Sequence, residues 1–244
     1  MRIDGRTPLQ MRNVKITCDV AEHAEGSALI EFGSTRVLCT ATVDEATPKW
    51  LNNSGKGWVT AEYSMLPRST HTRIRRDKAL TGGRSQEISR LIGRSLRACV
   101  NMKGLSEKQI IVDCDVINAD GGTRTAAITG GFVALALALK KLQNSGVITS
   151  IPITHYMAAV SVGYVEGNLL LDLCYEEDSR AETDMNFVFV DSGNFVEVQG
   201  TAEQAPFSRD ALNNMVDLAH NGCRELFKAQ NSALKHILPL RSGI

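Results

Sequence analysis

Residues 109–143 read QIIVDCDVINADGGTRTAAITGGFVALALALKKLQ, and the change of rhythm inside this stretch decides the fold. Gln109 to Ile117 is rich in β-branched residues, which predicts a strand. From about Thr125 to Gln143, Ala, Leu and Val dominate, which predicts a helix buried on most sides, with Ser145-Gly146 as its stop. Between the two stands Gly121-Gly122-Thr123-Arg124. Glycine lets the backbone take positive φ and approach a ligand closely. The helix that follows presents unpaired N–H groups and the positive end of its dipole. Thr123 adds a hydroxyl, and Arg124 can grip phosphate oxygens with two parallel N–H bonds. The physical reading is an anion site at a helix N-terminus. The same residues also suit a tight turn whose arginine faces solvent, and the turn alone does not separate the two.

A second junction upstream has the same design. Gly82-Gly83-Arg84-Ser85 opens a segment of helical periodicity, Ser85 to Met102. Ile88, Leu91, Ile92, Leu96, Cys99 and Val100 share one face of it, and Arg90, Arg94 and Arg97 recur on another. Two glycine-arginine turns, each at a helix start, argue for convergence on one anion better than either does alone.

Further out, the first third reads as strands and turns. Ala28–Phe32 and Thr35–Val43 flank Gly33-Ser34 as a hairpin, and Trp58–Tyr63 is another strand. The interval from Asp44 to Gly57 reads as a surface loop. The second half repeats the theme, with hairpins Ala158–Val165/Leu169–Cys174 and Asn186–Val190/Phe195–Val198. A long amphipathic helix then runs from near Ser208 into the region of Phe227, with Leu212, Met215, Val216, Leu226 and Phe227 inward. Strands followed by helices, twice, predict an α+β fold of two related halves, 1–146 and 147–244. With no Pro/Ser-rich linker between them, the 244 residues are expected to form one unit.

Composition bounds the function. At 43% hydrophobic and 22% charged, the chain has the composition of a globular protein. Met1 to Asn13 is polar and carries Arg2, Asp4, Arg6 and Arg12, unlike a secretory signal. Phe132 to Leu139, the most apolar run, is too short to span a bilayer. A cytoplasmic protein with no membrane partner is expected. The six cysteines are scattered with no C-x-x-C pair, as small buried hydrophobes in a reducing compartment would be. The five histidines show no zinc spacing.

The zero net charge hides strong segregation. From Leu66 to Arg97 nine basic residues face two acidic ones, a net +7; from Asp172 to Glu197 eight acidic residues face only Arg180, a net −7. Either the two segments pair with each other, or each sets up its own local potential.

Several common sites are excluded. Gly55-Lys56-Gly57 lacks the third glycine of a dinucleotide fingerprint, and no P-loop pattern occurs. Ser161 in Ala159-Val160-Ser161-Val162-Gly163 lies within an alternating strand, not at a nucleophile elbow. In the acidic stretch, Asp178 and Asp184 are six residues apart in a predicted turn or loop. Such carboxylates could hold Mg²⁺ or donate a proton to a leaving oxygen; a solvated polar loop is the alternative.

At these residues the chain resembles the bacterial RNase PH family. The resemblance runs from Arg6 to about Pro206. It includes His23-Ala24-Glu25-Gly26-Ser27, Gly57-Trp58-Val59-Thr60-Ala61-Glu62-Tyr63 and Met65-Leu66-Pro67-Arg68-Ser69-Thr70-His71-Thr72-Arg73. It continues through Ala119-Asp120-Gly121-Gly122-Thr123-Arg124-Thr125, Ala181-Glu182-Thr183-Asp184-Met185-Asn186 and Glu197-Val198-Gln199-Gly200-Thr201-Ala202-Glu203. The link from Arg76 to Gly82 looks shorter than in some relatives. The resemblance implies an α+β fold and phosphorolytic trimming of transfer RNA precursors and other RNA 3′ ends, releasing nucleoside diphosphates. It implies inorganic phosphate held by Arg84, Gly122, Thr123 and Arg124, and a catalytic or Mg²⁺-associated role for Asp178 and Asp184. It further implies RNA contacts by Arg68, Arg73 and Arg76, and assembly as a homohexamer, a trimer of dimers. A non-catalytic RNA-binding ring subunit and a hydrolytic nuclease are the rival readings.

Overall fold

Two sheets enclose the long helices, and the change of rhythm at residues 109–143 supplies the central element. In this computed structural model, residues 2–203, 205–235 and 237–238 are described. The first sheet contains β1 (Val14–Cys18), β2 (Gly26–Phe32), β3 (Thr35–Asp44), β4 (Trp58–Met65) and β5 (Gln109–Asn118), in the order β1-β2-β3-β5-β4. All neighbours are antiparallel except β4 and β5, which are parallel. In β5, Ile110, Val112, Cys114 and Val116 are buried, while Asp113 and Asp115 alternate onto the other face, the period-2 signature of a half-covered strand. The second sheet has β6 (Met157–Val165), β7 (Asn168–Leu171), β8 (Thr183–Val190) and β9 (Phe195–Ala202), antiparallel in the order β7-β6-β8-β9.

The helices are α1 (Arg76–Thr81), α2 (Gly83–Ala98), α3 (Thr123–Asn144), α4 (Tyr175–Asp178) and α5 (Arg209–Ala233). α3 packs against β2, β3 and β5 on one side and β6 and α5 on the other. It is long and apolar enough to cross a membrane by length and composition, whereas the sequence marks only the shorter run Phe132–Leu139 as most apolar. However, 83% of its apolar window is buried inside the fold, as in a core helix. Its few polar groups are satisfied internally. The Thr129 hydroxyl donates to the Thr125 carbonyl at 2.8 Å and accepts from the Ala159 amide at 3.1 Å. Gln230 of α5 donates to the carbonyls of Thr129 at 3.0 Å and Met157 at 2.8 Å, pinning α3, α5 and β6 together. One hydrophobic cluster runs from Met11 through both sheets to α5.

Several sequence expectations are corrected. The strand β1 and the short helix α1 had not been expected. The segment expected as a strand through Cys174 ends at Leu171, because Asp172 turns the chain with φ +54° and buries its carboxylate. The helix expected over Ser85–Met102 stops at Ala98, and Val100 bridges Ile153 instead. α5 runs beyond Phe227 to Ala233, with Leu212 and Val216 only partly buried. Within the Asp44–Gly57 loop lies one turn of 3₁₀ helix, Lys49–Leu51. All six cysteines are free and five are buried, as expected.

Candidate active site

The starting point is the turn between β5 and α3. Gly121 and Gly122 both take positive φ, +72° and +65°. A Cβ on Gly121 would stand 2.5 Å from the Leu173 carbonyl oxygen and 2.8 Å from the Tyr175 nitrogen, so only glycine fits where the second half of the chain crosses. The helix begins at Thr123, two residues earlier than its composition suggested, so Thr123 and Arg124 sit in its first turn. The amides of Gly122, Thr123 and Arg124 find no hydrogen-bond partner among the described residues. Three free N–H groups at the head of a 22-residue helix form an anion-binding cradle.

The side chains around the cradle are held in place. The Thr123 hydroxyl and the Tyr63 phenol from β4 share a 2.8 Å hydrogen bond. Burial pushes the Tyr63 phenol above its ordinary range, so it stays protonated near neutrality. Arg124 donates to Gln199 Oε1 at 2.5 Å and reaches Glu87 Oε1 at 3.4 Å, while Gln199 itself donates to Glu87 at 3.1 Å. α2, α3 and β9 thus meet at one guanidinium. Arg84, at the start of α2, makes no hydrogen bond or ion pair among the described residues.

Arg84, Gly122, Thr123, Arg124, Asp178 and Asp184 all line a single cavity of about 520 Å³. The two aspartates arrive differently from expectation. Asp178 ends α4 and Asp184 lies in β8, so helix and strand geometry place them rather than a shared loop. Asp178 is exposed to the cavity, yet desolvation by the cavity wall is the first cause that raises its pKa. The charge of Asp184 raises it further, and Arg84, Arg124 and Arg12 pull the other way. Asp184 is also raised, first by desolvation and then by Glu203, with Arg124 opposing.

Of the arginines expected on RNA, Arg68 lines an adjoining cavity of about 640 Å³; both cavities are lined by Thr70, His71, Ala119 and Tyr175. Arg73 and Arg76 are exposed and line neither. Sequence reasoning missed several lining residues. Asn186 follows Asp184 by two positions on β8 and so faces the same way, a signal that strand periodicity carried. His71 and Thr72 come from the loop leading to α1. Ser161 does lie in a strand as expected, yet it also lines the cavity, where its Oγ accepts from the Leu173 amide at 3.1 Å. The basic and acidic segments do not neutralise each other: among the described residues the single ion pair joining them is Arg94–Glu197 at 2.9 Å.

Free helix amides and two arginines share a cavity with two carboxylates, on an α+β fold of two sheets. The chain matches the 3′ exoribonuclease family, domain 1 over residues 10–141 and domain 2 over residues 155–222, and it belongs to that family. It is 65% identical to Ribonuclease PH of Bdellovibrio bacteriovorus over 237 residues, 97% of this chain and 98% of the relative. Among solved structures it is similar to rice (Oryza sativa) Rrp46, with a TM-score of 0.78 and 21% identity over 96% of this chain and 100% of that one. It is also similar to a chain of the Archaeoglobus fulgidus exosome with RNA bound to the active site, with a TM-score of 0.78 and 23% identity over 93% and 91% of the two chains. At these identities the two structures support the fold alone.

Proposed function

We propose that this exoribonuclease shortens the 3′ ends of RNA, transfer RNA precursors among them, by phosphorolysis. The observation that carries this reading is the single cavity in which free helix amides, Arg84 and Arg124 face Asp178 and Asp184. Inorganic phosphate lies against the amides and arginines, and one of its oxygens attacks the phosphorus of the last nucleotide. The bond from that phosphorus to the 3′ oxygen of the preceding nucleotide breaks. A nucleoside diphosphate leaves, and the shortened RNA regains a 3′ hydroxyl. With a nucleophile already competent, catalysis is positioning and charge stabilisation. Desolvation raises both Asp178 and Asp184, the direction that favours a proton-donor role toward the leaving oxygen for one of them.

The donor set also suits Mg²⁺, which commonly takes one or two protein carboxylates and fills its remaining positions from water and substrate phosphates. Asp178 and Asp184 would hold it, and no larger metal-binding cluster of acidic, histidine or cysteine residues occurs among the described residues. When bound, the ion supplies neutralisation of phosphate charge. Arg68, Arg73 and Arg76 would grip the RNA backbone without reading sequence. The two halves of the chain would act as one catalytic unit, since Arg84 and Arg124 come from the first and both aspartates from the second. Assembly as a homohexamer belongs to the same proposal; exposed Phe195 and Val198 on the edge strand β9 offer a surface for a neighbouring copy. A cytoplasmic setting is supported by six unpaired thiols.

Incubating 3′-extended transfer RNA with Mg²⁺, with and without phosphate, tests the reading. Nucleoside diphosphates formed only with phosphate are expected. Monophosphates formed without phosphate would point to hydrolysis, and no product under either condition to a non-catalytic RNA-binding subunit.

A further inference from the structure

The N-terminal segment passes behind the cavity, and its three arginines are buried rather than solvated. Arg2, Arg6 and Arg12 are 8%, 9% and 6% exposed, and their carboxylate partners Asp172 and Glu177 only 0% and 3%. Arg12 holds Asp172 with two nitrogens, Nη2 to Oδ1 at 2.7 Å and Nε to Oδ2 at 2.9 Å, while its own amide donates to Oδ2 at 2.9 Å. The guanidinium also reaches the turn, with Nη1 to the Asp120 carbonyl and Nη2 to the Gly121 carbonyl at 3.4 Å, while Nη1 donates to the Thr35 hydroxyl at 3.4 Å as well. Thr35 works on the same two peptides. Its hydroxyl donates to the Gly121 carbonyl at 2.7 Å and accepts from the Asp120 amide at 3.0 Å.

These contacts have a directional consequence. A trans peptide is planar, and its carbonyl and N–H point opposite ways. Pinning the Asp120 and Gly121 oxygens toward Arg12 and Thr35 therefore turns the amides of Gly121 and Gly122 away from them. Neither Arg12 nor Thr35 lines the cavity, whereas Gly121 and Gly122 do. With both glycines at positive φ and free of any Cβ, nothing in the turn's own side chains would fix that orientation.

We infer that Arg12, clamped by Asp172 and assisted by Thr35, is a positioning residue for phosphate: it fixes the peptides on either side of Gly121 so that the Gly122 amide, the first of the cradle, meets the anion. The inference rests on the reading that phosphate occupies the Gly122-Thr123-Arg124 cradle. Glu177, paired with Arg2 through Nε at 2.8 Å and Nη2 at 2.6 Å, provides the matched control. It is an equally buried ion pair from the same segment, but it braces α4 and not the turn.

The test is steady-state phosphorolysis of a 3′-extended transfer RNA, varying phosphate and RNA separately, in Arg12→Lys, Thr35→Val, Glu177→Gln and Arg124→Ala. Lysine keeps a charge against Asp172 but lacks the fork that reaches the turn carbonyls as well. Arg12→Lys and Thr35→Val should raise the phosphate KM about 10- to 100-fold, the scale of an ångström-sized misplacement, with the RNA KM little changed. Both should also show a smaller rise in Tm on adding phosphate than the unaltered protein does. Glu177→Gln should leave the phosphate KM in place.

If Arg12→Lys and Thr35→Val lower kcat alone, with the phosphate KM unmoved, or if Glu177→Gln shifts that KM equally, Arg12 is only a structural brace and the inference is overturned. Should Arg12→Lys not fold, Thr35→Val decides on the same criterion. Arg124→Ala separates the two levels of the argument. A kcat/KM for phosphate within about threefold of the parent there would sink the underlying phosphate reading, whereas a large fall beside normal phosphate KM values in the other two variants would sink this inference alone.

Discussion

Removing the Arg124 side chain should disable phosphate-dependent turnover at almost no cost to folding, and the structure sets both magnitudes. Arg124 touches Gln199 at 2.5 Å and Glu87 at 3.4 Å, and those two remain bonded to each other at 3.1 Å when it is gone. Glu87 is 41% exposed at its side chain, so solvent can take over what the guanidinium supplied. The stability cost of Arg124→Ala should therefore be about 1 kcal/mol or less, as for other solvent-screened pairs. Against phosphate the situation differs, because on the proposed reading the guanidinium would face the attacking phosphate inside a cavity where no other first-turn side chain of α3 carries a charge. Loss of one such preorganised contact removes about 2–4 kcal/mol of transition-state stabilisation. That corresponds to a fall in kcat/KM of roughly 30- to 1000-fold, at 1.4 kcal/mol per factor of ten. The assay is nucleoside diphosphate release at varied phosphate, alongside a urea melt of the same preparation. A variant with kcat/KM within about threefold of the parent and an unchanged melt would refute the assignment of Arg124 to phosphate, since the predicted loss exceeds that by an order of magnitude.

Asp178→Asn should abolish proton delivery or Mg²⁺ binding yet stabilise the fold at neutral pH. Desolvation at the cavity wall and the nearby charge of Asp184 raise the Asp178 pKa above its ordinary 3.8, so the ionised carboxylate costs some stability above its folded pKa. That cost fades as pH falls through the folded pKa and is gone below about 3.8; paired melts at pH 7 and pH 4 should show the variant's advantage shrinking on acidification. Glu177→Ala leaves Arg2 buried without its bidentate partner and should destabilise by about 3–5 kcal/mol in denaturant unfolding. Arg68→Ala should weaken RNA binding and lower the slope of log K against log salt by about one, as read by fluorescence titration at several salt concentrations.

What sequence could and could not reveal follows from how far apart the partners lie. The β5–α3 junction was legible because both elements are long and each keeps its own period around two glycines. The convergence of Arg84 and Arg124 was legible because each opens a helix at a glycine pair. Asp184 was misread as a loop residue: its acidic neighbours masked the alternation that aims Asp184 and Asn186 at the cavity while Met185 packs inward. The arginines at positions 2, 6 and 12 read as a polar leader to the first strand. Nothing in the local sequence hints at burial of Arg2 and Arg12, because their carboxylates lie 175 and 160 positions away, while Arg6 pairs with nearby Asp4 at 2.6 Å. Buried ion pairs between chain-distant residues have no local signature. Their consequence here is that the back wall of the site was invisible while its front wall was plain.

That separation also bears on the order in which the molecule is made. Domains emerge from synthesis N-terminal half first, at roughly 5–20 residues per second. A growing chain displays its glycine turn, its α3 amides and its basic α2 well before residue 172 exists to clamp Arg12. Asp178 and Asp184 follow later still. On the proposed reading, a partly translated chain would carry Arg84 and Arg124 but neither the Asp172 clamp that orients the turn nor the two aspartates, so the site would be assembled only once both halves have closed on each other.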